Sequence, residues 1–142
     1  MIEVLQLSKR FSSGSGRKKR LVQAVDGVQF KAADGCITGL LGANGAGKTT
    51  TLRMVAALIE PDGGEVRVDG IHVAAQPREA LARLGLLSDA RGLYPRLTAR
   101  ENIVYFGLLH GMDRAAASAR ADHLARVLDM APLLDRRTDG FS

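Results

Sequence analysis

About a third of the way along the chain, Gly42-Ala43-Asn44-Gly45-Ala46-Gly47-Lys48-Thr49 sets glycines, a lysine and a hydroxyl at the spacing G-x-x-x-x-G-K-[ST]. Each fixed position has a physical use. Glycines let the backbone turn tightly and bring successive N–H groups within reach of phosphate oxygens, and the positive end of a following helix favours an anion. Lys48 is then expected to reach the β- and γ-phosphates of a nucleoside triphosphate. The Thr49 hydroxyl would be a ligand of the Mg²⁺ that bridges them, and Thr50 would offer a further donor. The pattern predicts a nucleotide site made of Gly42, Asn44, Gly45, Ala46, Gly47, Lys48, Thr49 and Thr50.

Such a loop works only between a strand that delivers it and a helix that receives the phosphate, and the flanks predict both. Cys36-Ile37-Thr38-Gly39-Leu40-Leu41 is a short apolar run, expected as a buried strand with Cys36 inside. Leu52, Val55, Ala56 and Ile59 recur at helical spacing from Thr49 to about Ile59, before the turn residues Pro61-Asp62-Gly63-Gly64. Upstream, Ile2 to Leu7 alternates as a half-buried strand. Leu21 to Val25 and Val28 to Lys31 flank Asp26-Gly27, expected as a hairpin turn, and Asp34-Gly35 makes another turn.

Downstream, Glu65 to Asp69 reads as a strand, Arg78 to Leu84 as a helix after Pro77, and Leu84 to Leu87 as a second buried strand. Thr98-Ala99-Arg100-Glu101 fits a capping box opening a helix to about His110. Asp113 opens a last amphipathic helix with Ala117, Ala121, Leu124, Val127 and Leu128 on one face.

The 142 residues are 46% hydrophobic and 25% charged, the composition of an ordinary soluble domain. No apolar run approaches the roughly 20 residues that span a bilayer, and no leader pattern opens the chain, so a cytoplasmic location is expected. One cysteine excludes an internal disulfide, and no spacing suggests a His/Cys metal site. Much of the net charge of +5 sits in Arg17-Lys18-Lys19-Arg20, either a solvated loop tip or a contact for acidic lipid or another partner. No aromatics interleave it, and no nucleic-acid partner is expected.

With these residues in place, the chain resembles the ATP-binding cassette (ABC) ATPases along its whole length. Leu7-Ser8-Lys9-Arg10-Phe11 with Ala24-Val25-Asp26-Gly27-Val28 looks like the family's opening sheet, where an aromatic after the first strand stacks on adenine; Phe11 holds that place, with a core Phe as the alternative. Leu86 to Asn102 is similar to the family's Q-loop and the start of its helical subdomain. There Asp89 replaces the usual glutamine and would still bind hydrated Mg²⁺. Leu93, Tyr94 and Pro95 would face a transmembrane subunit, or else form a loop pinned to its own domain. Ser88 to Tyr105 with Gly107-Leu108-Leu109-His110-Gly111 looks most like the branch that includes sodium-extruding and multidrug exporters.

The resemblance implies an α/β P-loop NTPase fold of ABC type: an antiparallel β subdomain over 1–35, a P-loop core with a partial parallel sheet over 36–97, and an incomplete helical subdomain over 98–142. It implies ATP and Mg²⁺ as ligands, transmembrane permease subunits and a second cassette as partners, and a place on the inner face of the membrane through the permease. Phe141 and Ser142 look like the first positions of the family's signature motif, so the chain is expected to be truncated there. The second Walker acid, the catalytic glutamate and the switch histidine match nothing in these residues. No catalytic residue is expected within the chain, and it should bind ATP without turnover. The alternatives are a cassette ATPase acting on nucleic acid or the ribosome, and a nucleotide-binding fragment without turnover.

Overall fold

The computed structural model describes residues 1–13, 20–87 and 92–141. These form two compact units, Met1–Leu87 and Ser88–Ser142. In the first, β1 (Ile2–Ser13), β2 (Arg20–Ala32), β3 (Gly63–Val68) and β4 (Ile71–His72) form an antiparallel sheet in the order β2-β1-β3-β4. Helices α1 (Lys48–Val55) and α2 (Pro77–Leu81) complete that unit. The second unit holds α3 (Ala99–Leu109), α4 (Arg114–Val127) and a 3₁₀ turn at Ala131–Leu133.

The first core lies between one face of the sheet and the two helices. Val4, Leu7, Val25, Val66 and Val68 are buried against Met54 and Val55 of α1 and Ala80 of α2. Complete burial of side chains this size contributes about 1.5–3 kcal/mol each. Asp62 ties the turn after α1 to β1: its N–H donates to Ser8 O at 2.9 Å, while its carboxylate accepts from Lys9 Nζ at 2.8 Å and from the Arg10 N–H at 2.7 Å. The hydrogen bond from Lys9, and next that from the Arg10 N–H, hold the Asp62 carboxyl below its ordinary value of 3.8.

Several expectations from the sequence are corrected. Asp26-Gly27 is not a hairpin turn, because β2 runs unbroken through it. Gly27 at φ +58 donates its N–H to Ser8 Oγ at 2.9 Å, in a stretch where the β1–β2 register shifts between Val4 and Lys9. The positive φ that Asp-Gly favours is used inside the strand as an irregularity. Cys36–Leu41 and Leu84–Leu87 join no ladder here, with Ile37 fully exposed and Leu87 99% exposed. Among the described residues neither has a parallel neighbour, and a strand without a paired edge has nothing to bury its faces against. Cys36 is likewise exposed.

Helix α1 stops at Val55, where Ala57 enters the left-handed region at φ +53. On α4 the buried line is Ala117, Ala121 and Ala125, while Val127 and Leu128 are exposed. Ala117 and Ala121, one turn apart, pack against Val104 of α3, and the Ala117 Cβ lies 3.0 Å from where a Cβ on Gly107 would stand.

The local capping signals hold. Thr98 Oγ1 accepts from the Glu101 N–H at 3.1 Å, and Glu101 Oε2 accepts from the Thr98 N–H at 2.8 Å. Asp113 Oδ1 accepts from the Ala116 N–H at 2.8 Å at the start of α4.

Candidate nucleotide-binding loop

The loop Gly42–Gly47 closes on itself through a bond from the Ala46 N–H to Ala43 O at 3.2 Å. Gly45 at φ +82 and Gly47 at φ +87 take the left-handed conformation that lets the chain reverse twice in three residues. Gly47 is also the N-cap of α1, with no side-chain cap. The first helical bond runs from the Thr51 N–H to Gly47 O at 2.8 Å, so the N–H groups of Lys48, Thr49 and Thr50 precede any partner carbonyl inside the helix. They are the donors that an anion at the positive helix end would take up. The first turn of α1 carries no acidic side chain to oppose one.

Lys48 folds back over this loop. Its Nζ donates to Gly42 O and Ala43 O, each at 2.7 Å. The ammonium thus stands over the concave side of the turn, held by two neutral carbonyls that a phosphate group can replace with a stronger, charge-assisted bond. Thr49 is exposed and Thr50 half-buried. Thr51 is 2% exposed and donates its hydroxyl to Gly47 O at 3.0 Å.

What fixes the loop to the fold is β2. A Cβ on Gly47 would stand within 3.0 Å of Ala24 O and 3.1 Å from Val25 Cγ2. The loop therefore rests on β2 backbone with no room for a side chain. Val22, two residues before Ala24 on the same strand, is the cross-strand partner of Phe11. Two strand residues span about 7 Å, so the turn of the loop and the Phe11 position sit on neighbouring parts of one hairpin. Phe11 is 40% exposed, with Lys9 Nζ 5.8 Å from its ring centroid.

The sequence reading thus reaches the structure as one contiguous loop, Gly42 to Thr50, with Phe11 presented by the adjoining strands. Asp89 lies outside the described residues, as do Arg17, Lys18 and Lys19. Three contributors to the loop were missed. Ala24 and Val25 support Gly47 across a gap of more than 20 residues, which no local pattern signals; Thr51 was hidden in a run of three threonines, whose roles only the helix register separates.

For a magnesium ion, the loop offers the Thr49 hydroxyl, a hard oxygen on the exposed first turn of α1. Among the described residues no group of three or more His, Cys, Asp or Glu side chains could hold a metal. One hydroxyl without a protein cage suits Mg²⁺, which keeps waters and substrate phosphates as its other ligands. The donor set fits a metal that arrives with its nucleotide. Among the described residues no helix is long and apolar enough to cross a membrane.

Comparison with known proteins agrees with this geometry. The sequence model of a family described as "ABC transporter" matches residues 25–142. The ABC transporter ATP-binding protein NatA of Bacillus subtilis (strain 168) is 43% identical over 143 residues, an alignment covering 100% of this chain and 56% of NatA. The daunorubicin resistance ATP-binding protein DrrA2 of Streptomyces coeruleorubidus is 39% identical over 120 residues, covering 84% of this chain and 37% of DrrA2. In fold, the chain is similar to the dimeric, post-hydrolysis structure of the ATP-binding cassette MJ0796 bound to ADP and Pi. The TM-score is 0.83 at 20% identity, over 100% of this chain and 63% of the other. The chain therefore spans little more than half the length of the first of these relatives.

Proposed function

This chain belongs to the ABC transporter family, and we propose that it serves as the ATP-binding subunit of an exporter, in which binding and hydrolysis of Mg²⁺-ATP drive transport by separate membrane subunits. The observation that carries the reading is the loop itself: Lys48 Nζ poised over Gly42 O and Ala43 O, at the uncapped N-terminus of α1. Its likeness to NatA and DrrA2 supports the transport role.

In this reading the N–H groups of Lys48, Thr49 and Thr50 bind phosphate oxygens, and Lys48 exchanges its two carbonyl partners for the β- and γ-phosphates. Gly42, Asn44, Gly45, Ala46 and Gly47 shape the turn, and Phe11 stacks on the adenine. Thr49, together with Asp89, would hold the Mg²⁺, which supplies charge neutralisation at the phosphates. The antiparallel part over 1–35, the phosphate-binding core over 36–97 and the helical part over 98–142 then divide the labour among adenine, phosphates and partners. The partners are membrane permease subunits and a second cassette, and the location is cytoplasmic, on the membrane through the permease. Among these 142 residues none is assigned as the catalytic base, so the chain by itself should hold nucleotide without turnover.

The test is ATP turnover by the full-length subunit assembled with its membrane partner in lipid vesicles. Turnover that depends on Mg²⁺ and on the membrane subunit, and that Lys48→Ala abolishes, is the expected result. Turnover indifferent to both would sink the proposal.

A further inference from the structure

Phe11 does not stand alone on β1. Strand alternation puts Lys9, two residues earlier, on the same side, and Lys9 Nζ stands over the Phe11 ring, 5.8 Å from its centroid. An ammonium within about 6 Å of the centroid is attracted by the negative face of the ring. The lysine is held there by its other contact. Its side chain is only 16% exposed, and Nζ donates to Asp62 Oδ1 at 2.8 Å. Asp62 is fixed in turn: its N–H donates to Ser8 O at 2.9 Å, and its Oδ2 accepts from the Arg10 N–H at 2.7 Å. With its carboxyl held below the ordinary value, first by the bond from Lys9, Asp62 stays ionised through neutral pH.

These contacts run unbroken from the turn after α1, through Asp62 and Lys9, to the ring. A half-exposed aromatic side chain near a strand end otherwise keeps its rotamer freedom, and a ligand that stacks on it must remove that freedom on binding. The ammonium removes part of it in advance. It also draws π density toward itself, which makes the rest of the ring a better partner for an electron-rich base. We propose that Lys9, anchored by Asp62, is a positioning residue for the nucleobase: it pins and polarises the Phe11 ring so that the part turned away from the ammonium takes a purine. The inference deepens the nucleotide reading proposed above and rests on Phe11 as the base-stacking ring. Lys9 acts through Phe11 and is assigned no contact with the phosphates, so its effect should be confined to the base.

The experiment measures equilibrium dissociation constants of the full-length subunit for Mg²⁺-ATP and for inorganic tripolyphosphate with Mg²⁺, a probe that keeps the phosphates and lacks the base. The ratio of the second constant to the first reads the contribution of the base. Lys9→Met keeps the apolar stem and loses the cation; the ratio should fall about two- to fivefold, the loss expected of a cation–π pair at an exposed site. Loss of one positive charge, or a general loosening of the fold, weakens both ligands together and leaves the ratio alone. Lys9→Arg keeps the cation and should hold the wild-type ratio. In the Phe11→Leu background Lys9→Met should lower the ratio no further, because the ring through which it acts is gone.

An unchanged ratio in Lys9→Met overturns the proposal, as does a fall of the same size in Lys9→Arg or in the Phe11→Leu background. A second reading needs no variant to fold: in the ligand-free wild type the ring current of Phe11 should shift the Lys9 ε-methylene protons upfield in the NMR spectrum. Lys9 protons at their ordinary positions overturn the contact. Phe11→Leu with the wild-type ratio overturns the stacking role of Phe11 and this inference with it, and so is distinct from failure of Lys9 alone.

Discussion

Replacing Gly47 by alanine should destabilise the first unit through a collision that a neighbouring glycine escapes. At φ +87 an alanine pays the left-handed penalty of roughly 1–2 kcal/mol. Its Cβ would also stand within 3.0 Å of Ala24 O and 3.1 Å from Val25 Cγ2. The first of these is backbone in the middle of β2 and cannot rotate away, so either the strand or the loop must shift, an overpacking cost of about 1–3 kcal/mol. Loss of unfolded-state entropy returns about 0.4–1 kcal/mol. The net cost is about 1–5 kcal/mol, centred on ~3, a large share of the ~5–15 kcal/mol that holds a domain.

Gly45 is the control. Its φ of +82 imposes the same left-handed penalty, yet nothing stands within 4 Å of its would-be Cβ. Gly45→Ala should therefore cost only about 1 kcal/mol. Urea unfolding of wild type, Gly45→Ala and Gly47→Ala, compared through their midpoints at equal slope, reads the difference. Equal midpoints for the two variants would mean that the loop does not rest on β2 as described.

Three further outcomes follow from named contacts. Thr98→Ala removes one half of the capping box and should lower the stability of the second unit by about 1 kcal/mol, read by thermal unfolding, with Thr98→Ser restoring most of it. Asp62 has a carboxyl held below 3.8, so its contribution is present above that value and disappears as pH falls through the lower folded-state value. In acid titrations of stability Asp62→Asn should thus flatten the loss below about pH 4, while an unchanged slope would remove the Lys9 and Arg10 contacts from the account. Leu7→Ala, at a fully buried site between sheet and helix, should cost about 2–5 kcal/mol in the same unfolding assay.

Features set by neighbours in the sequence were legible. The tight turn of the glycine loop, the Thr98–Glu101 capping box and the Asp113 cap each depend on residues within eight positions of one another, and the structure contains all three. Features set by distant partners were not. Asp-Gly at 26–27 signals a positive φ, but only the length of β1 decides whether that φ turns the chain or bends a strand. The apolar run Cys36–Leu41 specifies a buried strand only when neighbouring strands exist to bury it, and among the described residues none pairs with it.

On α4 the sequence reading set Ala117 and Ala121 on one face with Val127 and Leu128, whereas Ala125 continues the buried line and those two aliphatic residues are exposed. At the site, glycine and lysine positions could be read directly, yet the β2 carbonyl beneath Gly47 could not. Ala24 lies more than 20 residues before Gly47, a separation that no local pattern in the string signals.

The most direct test of the central claim is magnesium-dependent ATP binding by the purified 142-residue chain beside Lys48→Ala, with turnover assayed on the same samples. Saturable binding by the wild type that the variant loses, with no turnover by either, is the expected result. Equal binding by both would contradict the assignment of Lys48 and its loop as the nucleotide site.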